Sequence, residues 1–193
     1  MEENIDYKTE YLDLIKTNIK REGINNLLEW IEKTDFFIAP ASSRFHSNFE
    51  GGLCFHSLNV FKRFIKILKS EYGDNWQEYC SLESATIIAL FHDLCKIDTY
   101  TVEMRNVKEN GEWVKKPYYA VNDKLPYGHG EKSVYIVNGF IHLTREEAMC
   151  INWHMGAFDK RVQGGDTSMS AAFEMYPLAC LTHIADMQAS YLD

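Results

Sequence analysis

Several features that would assign this chain to common classes of protein are missing from its sequence. No stretch approaches the roughly 18 apolar residues that a membrane-spanning helix needs, and the acidic start, Met1-Glu2-Glu3-Asn4, leads into no apolar signal core. The five cysteines are odd in number and scattered, so they indicate buried thiols in a reducing compartment rather than a disulfide framework. We therefore expect a cytoplasmic protein without a membrane partner.

Positive charge is also scarce. The chain has 20 Lys and Arg against 28 Asp and Glu, which gives a net charge of -8. Because binding to duplex nucleic acid depends on Lys and Arg contacts with phosphates, no duplex partner is expected. A small nucleotide or a short single strand in a metal-lined pocket is compatible with this charge. The sequence also has no Walker-type Gly-rich loop and no internal repeat.

The central feature of the sequence is the stretch from Ile87 to Lys96, in which seven of the ten residues are apolar. A helix that is apolar on all sides belongs in the middle of a domain. This one carries His92-Asp93 near its C-terminal end. Burying an unpartnered carboxylate costs several kcal/mol or more, so the doublet predicts a cation or further metal ligands nearby.

Periodicity and turn residues predict one mainly helical domain over residues 1–193, with capping helices within 1–35. Residues 99–121 alternate in part, are rich in β-formers and contain Asn110-Gly111, which predicts a β-hairpin. We expect it to lean on the domain, since a two-stranded hairpin alone is marginally stable. The predicted helices cover residues 5–20, 24–33, 53–69, about 84 onward, 131–141, 144–154, 168–175 and 177–192, with connections at 36–52, 71–80 and 157–166.

Nitrogen and oxygen donors recur along these predicted helices. As structural alternatives, His56 would be a core histidine, His92-Asp93 a buried ion pair and Asp186 a helix-surface carboxylate. His129 would be a turn residue, and His154 would bond the last carbonyls of its helix. As ligands, the set suits Mn, Fe, Co, Ni or Zn, with Mg at an oxygen-rich position. The candidate metal ligands are His56, His92, Asp93, His129, His154 and Asp186.

The order His56…His92-Asp93…Asp186 resembles the signature of the HD-domain superfamily of metal-dependent phosphohydrolases. The local sequences match as well: Gly51-Gly52-Leu53-Cys54-Phe55-His56-Ser57, His92-Asp93-Leu94-Cys95-Lys96 and Ile184-Ala185-Asp186. His129 and His154 resemble the added histidines of the subset that holds two metals. The similarity covers residues 45–190 and implies an all-α HD-domain helical bundle, with the hairpin inserted at about 99–121.

The resemblance implies two divalent transition-metal ions per chain, bridged by Asp93, and hydrolysis by a metal-activated hydroxide. The substrate would be a phosphomonoester or phosphodiester of a nucleotide, or a short oligonucleotide. Many family members carry a lysine at the position of Lys96 that meets substrate phosphate; the alternative is a helix-end lysine favoured by the macrodipole. Further candidates are Lys132, Lys160 and Arg161 for phosphate, Glu131 and His183 for contacts behind the ligands, and His46 for the pocket lining.

Two other functions share this ligand set or part of it. Some HD-fold proteins are mixed-valent di-iron oxygenases with the same histidines and aspartates. Others are non-catalytic regulatory domains that have lost ligands, which the complete set here disfavours. Hydrolysis and oxygen activation differ in the metal and its surroundings rather than in the ligand list. Iron content and an optical signal in the purified protein would separate them.

Overall fold

A computed structural model describes residues 6–193, and in that range the chain is mainly helical with one antiparallel sheet of two strands. This confirms the predicted mainly helical structure with a hairpin, whereas the single domain and the HD fold stay predictions. No helix within residues 6–193 is long and apolar enough to cross a membrane. The elements are α1 Tyr7–Asn18, α2 Ile24–Glu32, α3 Gly52–Tyr72, α4 Trp76–Tyr79, α5 Leu82–Phe91, β1 Tyr100–Glu109, β2 Glu112–Val121, α6 His129–Asn138, α7 Arg145–Trp153, α8 Lys160–Gln163, α9 Ser168–Met175 and α10 Pro177–Leu192.

Helix α5 is the centre of the fold. The Ser81 hydroxyl caps it by accepting a hydrogen bond from the Ser84 backbone N–H, and every residue of 85–91 is buried. The helix packs against α1, α3 and α7, and α10 packs against α3 and α7. Ile87 belongs to the apolar cluster built with α1 and α2, and Ile88 to the one built with α10. Apolar packing on all sides therefore places the polar end of α5 inside the domain.

The predicted boundaries differ from the structure mainly at the connections. The first helix begins at Tyr7, and the predicted start at Ile5 lies outside the described residues. The predicted polar connection 71–80 contains α4, because Trp76 is buried and holds that segment against the core. The predicted loop 157–166 contains α8, which Asp159 caps by accepting from the Arg161 backbone N–H. Neither short helix was predicted, because both segments are polar and a polar segment between helices is typical of a loop.

An ion pair joins the N-terminal helices to α7. Arg21, between α1 and α2, donates to both carboxylate oxygens of Glu147 over 2.6 Å each. Glu147 is 1% exposed and also closes the predicted capping box with Thr144. The same carboxylate thus starts α7 and anchors Arg21, so the pair helps to fix the helix that leads to His154.

The hairpin forms as predicted but projects from the domain. Asn110 and Gly111 have φ values of 50° and 92°, and a type I′ turn requires positive φ at both positions. Val102 is 66% exposed, Met104 58% and Trp113 71%. The expectation that the hairpin leans on the domain is therefore wrong for most of its length, because the strands satisfy their hydrogen bonds with each other. Only the base of the hairpin lies beside the core.

Candidate metal centre

Six side chains from five helical segments meet at the C-terminal end of α5. They are His56 of α3, His92 and Asp93 after α5, His129 at the start of α6, His154 after α7, and Asp186 of α10. Five of the six are buried, and the His129 side chain is 31% exposed. Every residue that the sequence suggested as a ligand is therefore present at this centre.

His92 and His154 are oriented by the helices that they terminate. The Nδ1 of His92 lies 2.8 Å from the carbonyl oxygen of Ala89. The Nδ1 of His154 lies 2.7 Å from that of Ile151. A carbonyl can only accept, so each Nδ1 carries a proton, and Nε2 is the nitrogen of each ring that faces the other donors. His154 can therefore bond a helix-end carbonyl through Nδ1 and also bind a metal through Nε2, because the two roles use different nitrogens.

One group of donors surrounds His56. Its Nε2 lies 3.0 Å from Asp186 Oδ1 and 3.4 Å from His92 Nε2. Donor atoms bound at 2.0–2.2 Å to one ion are about 3 to 3.5 Å apart, so these spacings fit a shared ion. The donors His56, His92 and Asp186 are all buried. The first candidate site is therefore formed by α3, the end of α5 and α10.

A second group surrounds Oδ1 of Asp93. His129 Nε2 lies 2.9 Å and His154 Nε2 3.5 Å from that oxygen. The Nε2 of His154 is buried and has no hydrogen-bond partner among the described residues. An unpartnered buried nitrogen normally signals a ligand or an ion, since burial without one is costly. The residues therefore fit a second divalent ion.

Asp93 faces both groups. Its Oδ2 lies 3.4 Å from His92 Nε2 and 3.6 Å from His56 Nε2, whereas Oδ1 faces His129 and His154. Lys96 donates to Oδ2 over 2.6 Å, from a side chain that is 12% exposed. A carboxylate with one oxygen toward each set of imidazoles has the orientation of a bridging ligand.

Burial and mutual charges set the protonation of these groups. Burial alone would raise the pKa of Asp93, but Lys96 and His92 lower it well below its usual range. Burial likewise opposes the effect of His56 on Asp186, whose pKa is also lowered. Burial lowers the pKa of His56 and His129 despite their carboxylate neighbours. Both carboxylates are thus ionised near neutral pH, and His56 and His129 are neutral, which are the states that bind metal.

The interpretation of this centre rests on its own geometry. Comparison of the chain with protein-family models, curated proteins and solved structures gave no match. The ligand types, their spacing and their burial are therefore the evidence for what the centre can do. Buried histidine and aspartate donors within metal-binding distance of one another are its defining property.

Two further residues reach the centre that the ligand set did not include. The His46 ring lies against His56, with centroids 4.7 Å apart, and burial lowers the pKa of His46 to about 4. The Cys95 thiol lies 3.4 Å from His129 Nε2 and 4.0 Å from Asp93 Oδ1, and burial raises its pKa to about 12. Cys95 follows Asp93 by two positions, which was the available sequence signal. For His46, the available sequence signal was its position before Gly51-Gly52.

Two of the charged substrate-binding candidates, Lys132 and Arg161, are engaged with other protein groups. Lys132 is 5% exposed and donates to Asp123 over 2.7 Å and to Thr99 over 3.2 Å. The Arg161 guanidinium pairs with Asp159 over 2.7 Å, and its centre lies 4.1 Å from the ring of Trp153. Contact of Lys132 or Arg161 with substrate stays a prediction.

The two candidates for supporting roles differ in their placement. The carboxylate of Glu131 lies 2.8 Å from Arg161, so it helps to hold that side chain. The Nδ1 of His183 lies 2.7 Å from the carbonyl oxygen of His154. His183 therefore contacts the backbone of the candidate ligand His154. Glu131 contacts Arg161 rather than a candidate ligand.

Proposed function

We propose that this chain is a metal-dependent phosphohydrolase of the HD-domain superfamily, with two divalent ions, acting on a phosphate ester of a nucleotide or short oligonucleotide. The observation that carries the proposal is the orientation of Asp93 between His56 and His92 on one side and His129 and His154 on the other. Two ions held in this way are suited to phosphate hydrolysis.

The chain's own groups would prepare the centre for this chemistry. When bound, the ions supply an activated water and neutralise phosphoryl charge. The helix-end bonds of His92 and His154 keep Nε2 available on each ring. Asp93 and Asp186 are ionised and largely buried, which would limit the access of bulk water to bound ions. Nitrogen and oxygen donors favour Mn, Fe, Co, Ni or Zn.

Lys96 is the residue that we expect to meet substrate phosphate. Its ammonium is held beside Asp93, and although burial alone would lower its pKa, Asp93 raises it, so the group stays charged. The Lys96 side chain is 12% exposed, whereas that of Asp93 is 2% exposed. An ammonium at the open edge of the centre can donate a charge-assisted hydrogen bond to a phosphoryl oxygen.

A cavity of about 570 Å³ lies near the base of the hairpin, and neither Lys96 nor any of the six candidate ligands lines it. This volume lies within the range of about 300–1,000 Å³ that is typical of small-molecule sites. Tyr100 lines the cavity and is close enough to Lys96 to raise the pKa of that lysine. Trp30, Asp123 and Lys132 also line it. We assign no substrate contact to this cavity, because the candidate ligands do not border it.

The test combines metal analysis with a substrate screen on wild-type protein and Asp93→Ala. Each is supplied with Mn, Co, Ni, Mg and Fe in turn and incubated with nucleoside mono-, di- and triphosphates and a cyclic dinucleotide. Wild type should bind two ions and release phosphate or open the phosphodiester with at least one metal. Asp93→Ala should lose metal from both sites and all turnover, because it lacks the bridge.

Two results would contradict the proposal. Full metal occupancy in Asp93→Ala would exclude bridging by this carboxylate. Wild-type protein that holds two iron ions with an optical signal, yet hydrolyses none of these esters, would overturn the hydrolase in favour of an oxygenase.

A further inference from the structure

His46 lies against the candidate metal centre without belonging to its ligand set. Its ring packs on the ring of His56 with an interplanar angle of 41°. Its Nε2 is buried, and residues 6–193 offer it no hydrogen-bond partner. Buried side-chain nitrogens are nearly always hydrogen-bonded, so this one indicates a partner that the chain itself does not supply.

The loop that carries His46 is fixed by its own hydrogen bonds. The Ser42 hydroxyl accepts from the Phe45 backbone N–H and donates to the carbonyl oxygen of His46, over 2.8 Å in each case. The Ala41 N–H donates to the carbonyl oxygen of Ser47 over 3.1 Å. These three hydrogen bonds, at Phe45, at His46 itself and at Ser47, limit the movement of the loop backbone and so fix the position of the ring.

Two backbone features bring this loop close to α3. Ser47 has a φ of 47°, which is uncommon for a residue other than glycine and is typical of functional sites. A Cβ at Gly52 would lie 2.0 Å from the carbonyl oxygen of Ser47, so glycine is needed there. The close approach sets His46 directly over His56, four residues further along α3.

The charged side chains near His46 are those on the His56 side of the centre. Asp93 Oδ2 lies 3.6 Å and Asp186 Oδ1 3.0 Å from Nε2 of His56, the ring on which His46 packs. Lys96, the residue proposed to meet phosphate, donates to Asp93 Oδ2, which also faces His56, so His46 and Lys96 border the same part of the centre. An imidazole carries at least one N–H in either protonation state, and this group can donate to an anionic oxygen.

We propose that His46 is a substrate-binding residue whose Nε2 donates a hydrogen bond to a phosphoryl oxygen, at the half of the centre formed by His56 and Asp186. This assignment rests on the proposed phosphohydrolase function and names a phosphate contact additional to Lys96. It also gives the buried Nε2 the partner that the protein does not supply. A different role, as a seventh metal ligand, would make metal content depend on His46.

The experiment measures binding of inorganic phosphate to the metal-loaded protein by calorimetry, together with the ions per chain and the thermal midpoint. His46→Phe keeps a ring against His56 and removes both nitrogens, whereas His46→Gln keeps an N–H donor. His46→Ala is a second variant without a donor. The matched control is His142→Gln, because the His142 side chain is exposed on the surface.

We expect His46→Phe and His46→Ala to bind phosphate about tenfold to a hundredfold more weakly than wild type, with both ions retained. His46→Gln should recover part of the affinity, and His142→Gln should match wild type. Equal phosphate affinity in wild type and His46→Phe would overturn the contact. Loss of an ion in both His46→Phe and His46→Ala would overturn it in favour of a ligand role. Wild-type protein with two ions but no phosphate affinity would instead refute the proposed function, and this proposal with it.

Discussion

His92 and His154 end two different helices in the same way, and their rings meet edge to face with centroids 4.8 Å apart. Each ring bonds the carbonyl three residues earlier through Nδ1 and turns Nε2 toward the centre. The ends of α5 and α7 are therefore used as supports for the candidate ligands. His92 and His154 nevertheless lie in different donor groups, His92 with His56 and His154 with His129.

Removing ligands from the two groups should empty different sites. His154→Ala should lower metal content toward one ion per chain, since it removes a donor from the His129 side. His56→Ala should empty the other site, where Asp186 and His92 remain. Metal analysis under saturating metal checks both variants. If wild type itself binds only one ion under those conditions, the two-ion hypothesis is wrong.

Replacing Lys96 by Met should destabilise the metal-free protein more than the loaded one. Met leaves Asp93 buried without its nearest cation, and breaking such a pair costs about 3–5 kcal/mol. Bound ions would replace the missing positive charge, so the loss should be smaller with metal. Denaturant unfolding with and without a chelator measures the difference. Equal losses in the two conditions would show that the ions do not neutralise Asp93.

The same variant tests the phosphate contact. A charge-assisted hydrogen bond to phosphate is worth about 1.5–3 kcal/mol, so kcat/KM of Lys96→Met should fall roughly tenfold to a few hundredfold. Metal content, measured in parallel on the assayed protein, should be unchanged. Turnover within about a factor of two of wild type on a confirmed substrate would exclude the contact and reopen the oxygenase interpretation.

The Arg21–Glu147 pair should make the free energy of unfolding depend on pH. Burial alone would raise the pKa of Glu147, but hydrogen bonds from Arg21 lower it below the ordinary value of 4.5. The contribution of ionised Glu147 to the free energy of unfolding is therefore complete above about pH 4.5. It is lost as the pH falls through the lower pKa that Glu147 has in the folded state. Glu147→Gln keeps the capping-box chemistry and should cost about 3 kcal/mol at pH 7. The difference from wild type should shrink in acid; a difference that is constant from pH 7 to pH 3 in denaturant unfolding would contradict this.

The hairpin should be dispensable for the metal centre. A variant in which residues 102–119 are replaced by Asn-Gly keeps the base of both strands and removes the exposed part. Because that part projects from the domain, we expect two ions per chain and a thermal midpoint within about 4 °C of wild type. A loss of metal in this variant would show that the strands support the ligands.

Much of the local structure follows from local sequence. The stretch 87–96 predicted the central helix α5, which ends at Phe91. Asn110-Gly111 specified the hairpin turn, and Thr144 with Glu147 specified the start of α7. Each of these depends on residues within a few positions of one another. The short helices α4 and α8 were not predicted, because a buried Trp76 and a cap at Asp159 depend on contacts beyond a periodic pattern.

The sequence by itself determined the helical architecture, the hairpin and the supply of nitrogen and oxygen donors. Only the tertiary structure decided that the two oxygens of Asp93 face different histidines, that His46 lies on His56, and that Lys132 and Arg161 are paired with carboxylates. The reason is physical: periodicity and caps act through neighbouring residues, whereas these contacts depend on side-chain rotamers and on how distant helices pack. A sequence can supply the ligands, but the packing of α3, α5, α7 and α10 sets the distances between them.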